Sequence, residues 1–179
     1  MRYGVIYKEN LARSRSVIVD APSFEALSQN PALDFIDPDI TRVEAVVDFS
    51  GRRVIRSGMS EGREITALVD PDMSRIDSGD YAFWFRQSGR FGATTAVVDS
   101  DSEEDAMQVQ GIPFFGSGLG AEVWVDSLID FKEQAIRPVA MKADGTIIEV
   151  WDGDFGERTP GEWFEREAAG LNIIEGVVV

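Results

Sequence analysis

The sequence predicts an α+β fold, predominantly antiparallel β in a sandwich or barrel-like arrangement, with two or three short helices. Three observations carry that expectation. Ile and Val together number 32 against 7 Leu, and β-branched side chains, stiff at χ1, suit a pleated sheet better than a helix. Short apolar runs recur between clusters of Gly, Pro, Asp and Ser, which is the punctuation of strands joined by tight turns. Leu, Ile, Val and Phe make up 50 of 179 residues, enough apolar side chain for the chain to collapse around a core. At this length one domain is the default, because two would each be small and poorly buried. Residues 1–179 are therefore read as a single domain.

Tyr3–Tyr7 and Ser16–Asp20 read as short strands, the second feeding a brief helix that starts at Ser23, carries Glu25 in its first turn and ends at Pro31. Val43–Phe49 and Arg53–Ser57 flank Ser50-Gly51-Arg52, a tight turn, and form a hairpin. Ile65–Val69 is a further strand, and Tyr81–Arg86 with Ala93–Asp99 makes a second hairpin around Gln87-Ser88-Gly89-Arg90. Ser102 caps a short helix with acids in its first turn and Ala106, Met107 and Val109 behind them. The glycine-rich apolar run Ile112–Val125 ends in a strand around Trp124, and a helix is expected over Ser127–Ala135, with Leu128, Ile129 and Phe131 toward the core. Val139–Lys142 and Thr146–Trp151 flank an Asp-Gly turn. Thr159-Pro160-Gly161-Glu162 is a capping box for a helix from Pro160 to about Ala169, before an apolar terminal strand.

The most informative pattern is internal. Phe35-Ile36-Asp37-Pro38-Asp39-Ile40-Thr41-Arg42-Val43 matches Leu68-Val69-Asp70-Pro71-Asp72-Met73-Ser74-Arg75-Ile76 at all nine positions, four identical and five conservative, 33 residues apart. The first Asp of each turn is suited to accept backbone N–H groups, Pro presets φ, and the Arg three residues past the second Asp is placed to return and pair with it. Taken with the hairpin after each copy, residues 35–57 and 68–98 read as a duplicated turn-plus-hairpin unit, the alternative being two unrelated turns. Two copies are too few for a solenoid.

Composition narrows the chemistry. With no Cys and no His, thiolate nucleophiles, disulfides, Cys- or imidazole-ligated metals and the Ser-His-Asp triad are all excluded. Gly58-Met59-Ser60-Glu61-Gly62 has the spacing of a nucleophile elbow but no base to serve it. Gly116-Ser117-Gly118-Leu119-Gly120 departs from the dinucleotide loop, its third Gly one residue early and a strand-like stretch where the phosphate-binding helix belongs. Four Asp-x-Asp pairs, at Asp37/Asp39, Asp70/Asp72, Asp99/Asp101 and Asp152/Asp154, are read as caps and turns, since none fits a calcium loop. No catalytic residue, cofactor or metal ligand is assigned, and the chain is expected not to be an enzyme.

Charge points to surfaces instead. Residues 1–90 hold 12 basic and 14 acidic side chains, residues 91–179 hold 5 and 18. An Arg-bearing first half could meet the acidic second half of a neighbour head to tail. The expected role is thus a non-enzymatic structural or assembly protein working through protein–protein interfaces, as a homo-oligomer or part of a larger assembly such as a viral particle, located in the cytoplasm or the virion. The expected interface residues are Arg52, Arg53, Arg86 and Arg90, the acids Asp99, Asp101, Glu103, Glu104 and Asp105, and the apolar Phe114 and Phe115. Two alternatives stand beside it: an acidic decoy or inhibitor that mimics nucleic acid, and an enzyme built on carboxylates and a divalent cation. Direct nucleic-acid binding is not expected at a sequence pI near 4.3, nor is a membrane partner, since no apolar stretch approaches a spanning length.

Overall fold

The structure, a computed structural model, describes residues 1–9, 14–87, 93–98, 100, 102–107, 123–141 and 147–149. Among these residues it is β-rich, as the β-branched composition predicts, with two five-stranded antiparallel sheets and little helix. The chain divides into two compact units, Met1–Ser78 with Phe131–Ile136, and Gly79–Asp130 with Arg137–Val179.

The first unit is built on a sheet of order β2-β1-β3-β4-β5, from β1 (Arg2–Glu9), β2 (Arg15–Asp20), β3 (Thr41–Asp48), β4 (Arg53–Met59) and β5 (Ile65–Ala67). Alternation, stepped by a bulge at Glu44 in β3, sends Tyr3, Val5, Val43, Val46 and Ile65 into one core with Val19, where Leu27, Leu33 and Ile36 cover them. Leu27 comes from the stretch expected as one helix between Ser23 and Pro31, and Leu33 lies just beyond it. The segment forms two 3-10 turns, Glu25–Gln29 and Pro31–Leu33. Ser23 does cap, its Oγ accepting from Ala26 N–H at 3.3 Å. Asn30 then caps the second turn by accepting from Ala32 N–H at 3.0 Å, so Pro31 begins a turn as well as ending one.

The hairpin expected at Ser50-Gly51-Arg52 joins β3 to β4. Asp48 Oδ1 accepts from Gly51 N–H at 2.9 Å, and Arg52 closes the turn with φ 51°. The strand expected over Ile65–Val69 is shorter, because the chain leaves regular pairing after Ala67 while still running beside β4. Leu68 N–H donates to Arg56 O at 2.8 Å, and Ile76 N–H to Arg52 O at 2.7 Å. Between them lies the 3-10 turn Pro71–Ser74.

The second unit holds the sheet β10-β9-β8-β6-β7, from β6 (Tyr81–Gln87), β7 (Ala93–Val98), β8 (Val123–Asp130), β9 (Ala135–Met141) and β10 (Ile147–Glu149), and among its described residues one helix, α1 (Glu103–Met107). Tyr81, Phe83, Phe85, Val125, Leu128, Val139 and Ile147 form its core with Ala106 of α1. Ser102 starts that helix as expected, its Oγ accepting from Asp105 N–H at 3.1 Å. The helix expected over Ser127–Ala135 is absent: Ser127–Asp130 finishes β8, residues 131–134 turn, and Ala135 opens β9. The register explains the misreading. Phe85 faces Val125, Trp84 faces Ser127 and Phe83 faces Leu128, so Asp126 is an inserted bulge residue. The bulge puts Val125 and Leu128, three residues apart, on one face and so imitates a helical period.

The glycine-rich run up to Gly120, the turn at 143–145, the helix expected over 160–169 and the terminal strand lie outside the described residues.

Candidate functional site: the two Asp-Pro-Asp turns

The two copies of the internal repeat adopt the same local solution. Asp37 Oδ1 accepts from Asp39 N–H at 3.0 Å, and Asp70 Oδ1 accepts from Asp72 N–H at 3.0 Å. The main chain repeats as well: Asp37 O accepts from Ile40 N–H at 3.1 Å, and Asp70 O from Met73 N–H at 3.0 Å. The short carboxylate competes for the backbone two residues on while Pro holds φ, so the nine-residue pattern is a turn-forming device. Beyond the turn the copies diverge. Thr41 enters β3 directly, whereas Arg75 makes a single bridge to Arg53 and the hairpin of the second copy lies in the other sheet.

Both turns present the same chemistry to solvent. Phe35 and Leu68, first in each copy, are 50% and 63% exposed, and Ile40 and Met73, sixth in each, are 52% and 85% exposed. Val69 adds a further 39%. The ninth positions, Val43 and Ile76, are buried and anchor the turns. Asp34, Asp37, Asp39, Asp70 and Asp72 accompany these apolar groups in the two segments. Phe35 is supported by Tyr7, whose ring it meets edge-on at 5.3 Å. Leu68 lies over Gly58, where a Cβ would sit 3.5 Å from its Cδ2. The repeat is legible in the sequence, but this exposure was missed there. Its signal is the recurrence of large apolar residues at positions one and six of both copies, among aspartates.

Two of the arginines expected at an interface, Arg52 and Arg53, belong to the first hairpin. Arg52 Nε donates to Ile76 O at 3.3 Å, and its guanidinium lies 5.2 Å from the centre of the Phe131 ring. Arg53 Nη2 is 2.7 Å from Asp72 Oδ1. Arg63, also in the left-handed region at φ 65°, donates to Leu33 O at 2.9 Å and to Asp34 O at 3.2 Å. These side chains tie the first unit together, whereas Arg56 is exposed on β4. The expectation that each repeat's Arg returns to its own Asp fails in both copies: among the described residues Arg42 makes no ion pair with Asp39, and in the second copy another arginine takes Asp72. The bridge places Arg53 beside the turn, and Arg75 Nε turns to Asp77 Oδ1 at 3.1 Å.

Of the expected acidic residues, Glu103 accepts from Arg137 Nε at 2.8 Å, Asp105 accepts from the Ser102 hydroxyl at 2.8 Å, and Glu104 is exposed. Arg86 belongs to β6. Arg90, Asp99, Asp101, Phe114 and Phe115 lie outside the described residues.

The apparent nucleophile elbow dissolves into a hairpin. β4 runs through Gly58 and Met59, and Ser60 closes the turn by accepting from Glu64 N–H at 3.1 Å. Among the described residues no group of three acids could hold a metal ion, and no helix is long and apolar enough to cross a membrane.

Elsewhere in the first unit, Tyr3 is buried in the core, and its hydroxyl ionises above the ordinary tyrosine range. Desolvation is the main cause, with Asp48 and Glu25 adding to it and Arg53 opposing. Glu25 is held below the usual carboxylate range by its own backbone N–H and by the Ser23 hydroxyl.

Comparison with protein-family models, curated proteins and solved structures finds no match to this chain.

Proposed function

We propose that the chain is a non-enzymatic assembly protein that associates with further copies of itself through protein–protein contacts. One observation carries this reading: large apolar side chains stand exposed at the same two positions of both repeated turns, each set among aspartates. Leu68, Val69 and Met73 fall within six residues directly after β5, the strand that pairs with β4. Apolar groups concentrated in this way and rimmed by charge are the composition of a contact surface, with burial for affinity and carboxylates for orientation. The opposite surface is expected to be apolar and basic.

Sedimentation velocity at low and high salt tests the proposal. The wild-type chain is expected to form oligomers, and L68S/M73S to lower the weight-average mass at least twofold without changing thermal stability. A strict monomer under both conditions would refute it.

A further inference from the structure

We propose that β7 is an edge at which two copies of this chain pair, antiparallel, so that one sheet continues into the next. This rests on the assembly reading above and names a contact for it. The described sheets end on β2, β5, β7 and β10. A terminal strand presents a row of backbone N–H and C=O groups that another extended strand can satisfy, and natural sheets blunt such edges by shortness, charge or proline. Three of these edges carry that protection. β5 has only 3 residues and leads into Asp70-Pro71-Asp72. β10, described over Ile147–Glu149, carries the charge of Glu149. β2 places a charge at each end, Arg15 and Asp20.

β7 has no such device. Its 6 residues, Ala93-Thr94-Thr95-Ala96-Val97-Val98, include no charge, proline or glycine, and among the described residues it pairs with β6 alone. In a chain of net charge −15, an uncharged stretch is where two copies approach with least repulsion.

The flanking sequence favours a second copy as the occupant. Arg90 precedes the strand, and Asp99 and Asp101 come after it. A two-fold antiparallel pairing centred on Thr95 sets Thr95 against Thr95 of the second copy and Ala93 against Val97, so that the two Thr95 side chains share one face. Read along the sequence, an antiparallel second copy is complementary in charge, with a basic residue before the strand and acids after it. The contact is isologous and closes on itself.

The chain has no cysteine, so a single introduced thiol reports one position without interference. T95C is expected to give a disulfide-linked dimer on mild oxidation, at least tenfold more than S16C on the β2 edge. T95K is expected to lower the weight-average mass at least twofold in sedimentation. Wild-type oligomers that survive T95K unchanged, or S16C crosslinking as readily as T95C, would overturn this assignment and leave the assembly reading intact. A monomeric wild type would overturn both. Should T95K not fold, the crosslinking pair decides the matter.

Discussion

Arg53 of β4 holds Asp72 of the second Asp-Pro-Asp turn at 2.7 Å, across 19 residues of sequence. The carboxylate that the repeat pattern assigns to Arg75 is thus taken by a residue on the neighbouring strand. Asp72 is 81% exposed and Arg53 30%, so water screens the pair, and ion pairs of this kind contribute about 0–1 kcal/mol. D72N is expected to cost less than about 1 kcal/mol, measured by urea unfolding. A larger loss would mean that the pair organises the whole turn.

Arg52 gives a sharper test, because two effects oppose each other at one position. Its φ of 51° is strained for any residue with a Cβ. Its guanidinium, however, binds Ile76 O and packs over Phe131. R52A loses both contacts and keeps the strain, a loss of about 1–3 kcal/mol. R52G loses the contacts but relieves the backbone, and should be less destabilised than R52A by roughly 0.5–1 kcal/mol. Equal stability of the two variants would show that the turn conformation is not under strain.

Gly4 of β1 sits where an added Cβ would run into the Ile136 side chain. G4V is expected to destabilise by about 1–3 kcal/mol through overpacking. The nearest atom is the end of a flexible side chain, so combining G4V with I136A should recover part of the loss. Absence of any recovery in thermal melts would place the strain in the backbone of β1.

Tyr3 makes stability depend on alkaline pH. Its folded-state pKa lies above the unfolded value, so folding favours the protonated phenol. That contribution is fully present below the unfolded tyrosine pKa near 10 and is lost as pH rises through the folded value. Ultraviolet titration should show a late tyrosine ionisation, and Y3F should reduce it by one group.

Glu25 acts at the acid end with the opposite sign. Its folded pKa is lowered, so its stabilising contribution is present above the unfolded value and is lost as pH falls through the folded one. E25Q should flatten the acid limb of the stability profile slightly. S23A should raise the Glu25 pKa, read by NMR titration.

Much of the fold was legible because its signals are local. Ser50-Gly51-Arg52 announces a hairpin through turn geometry alone, and Ser102 announces α1 through its cap. The Asp-Pro-Asp turns repeat in structure as they do in sequence, since the bond from Asp to the second N–H needs nothing from elsewhere. Signals that depend on a partner strand were misread. The bulge at Asp126 made β8 resemble a helix, and only its register with β6 shows otherwise.

The sequence by itself determined that the chain is β-rich, that it has no thiol or imidazole chemistry, and that it carries a repeated turn. Each of these comes from residue identity or from bonds spanning a few positions. The tertiary structure decided how the charges are engaged. Arg52 and Arg53 look alike in sequence as interface residues, yet each is held inside the first unit, by segments 24 and 19 residues away. It also decided that Leu68 and Met73 face water while Ile76 is buried. Apolar character sets how much a side chain gains from burial, but the strand lying beside it determines whether burial is available.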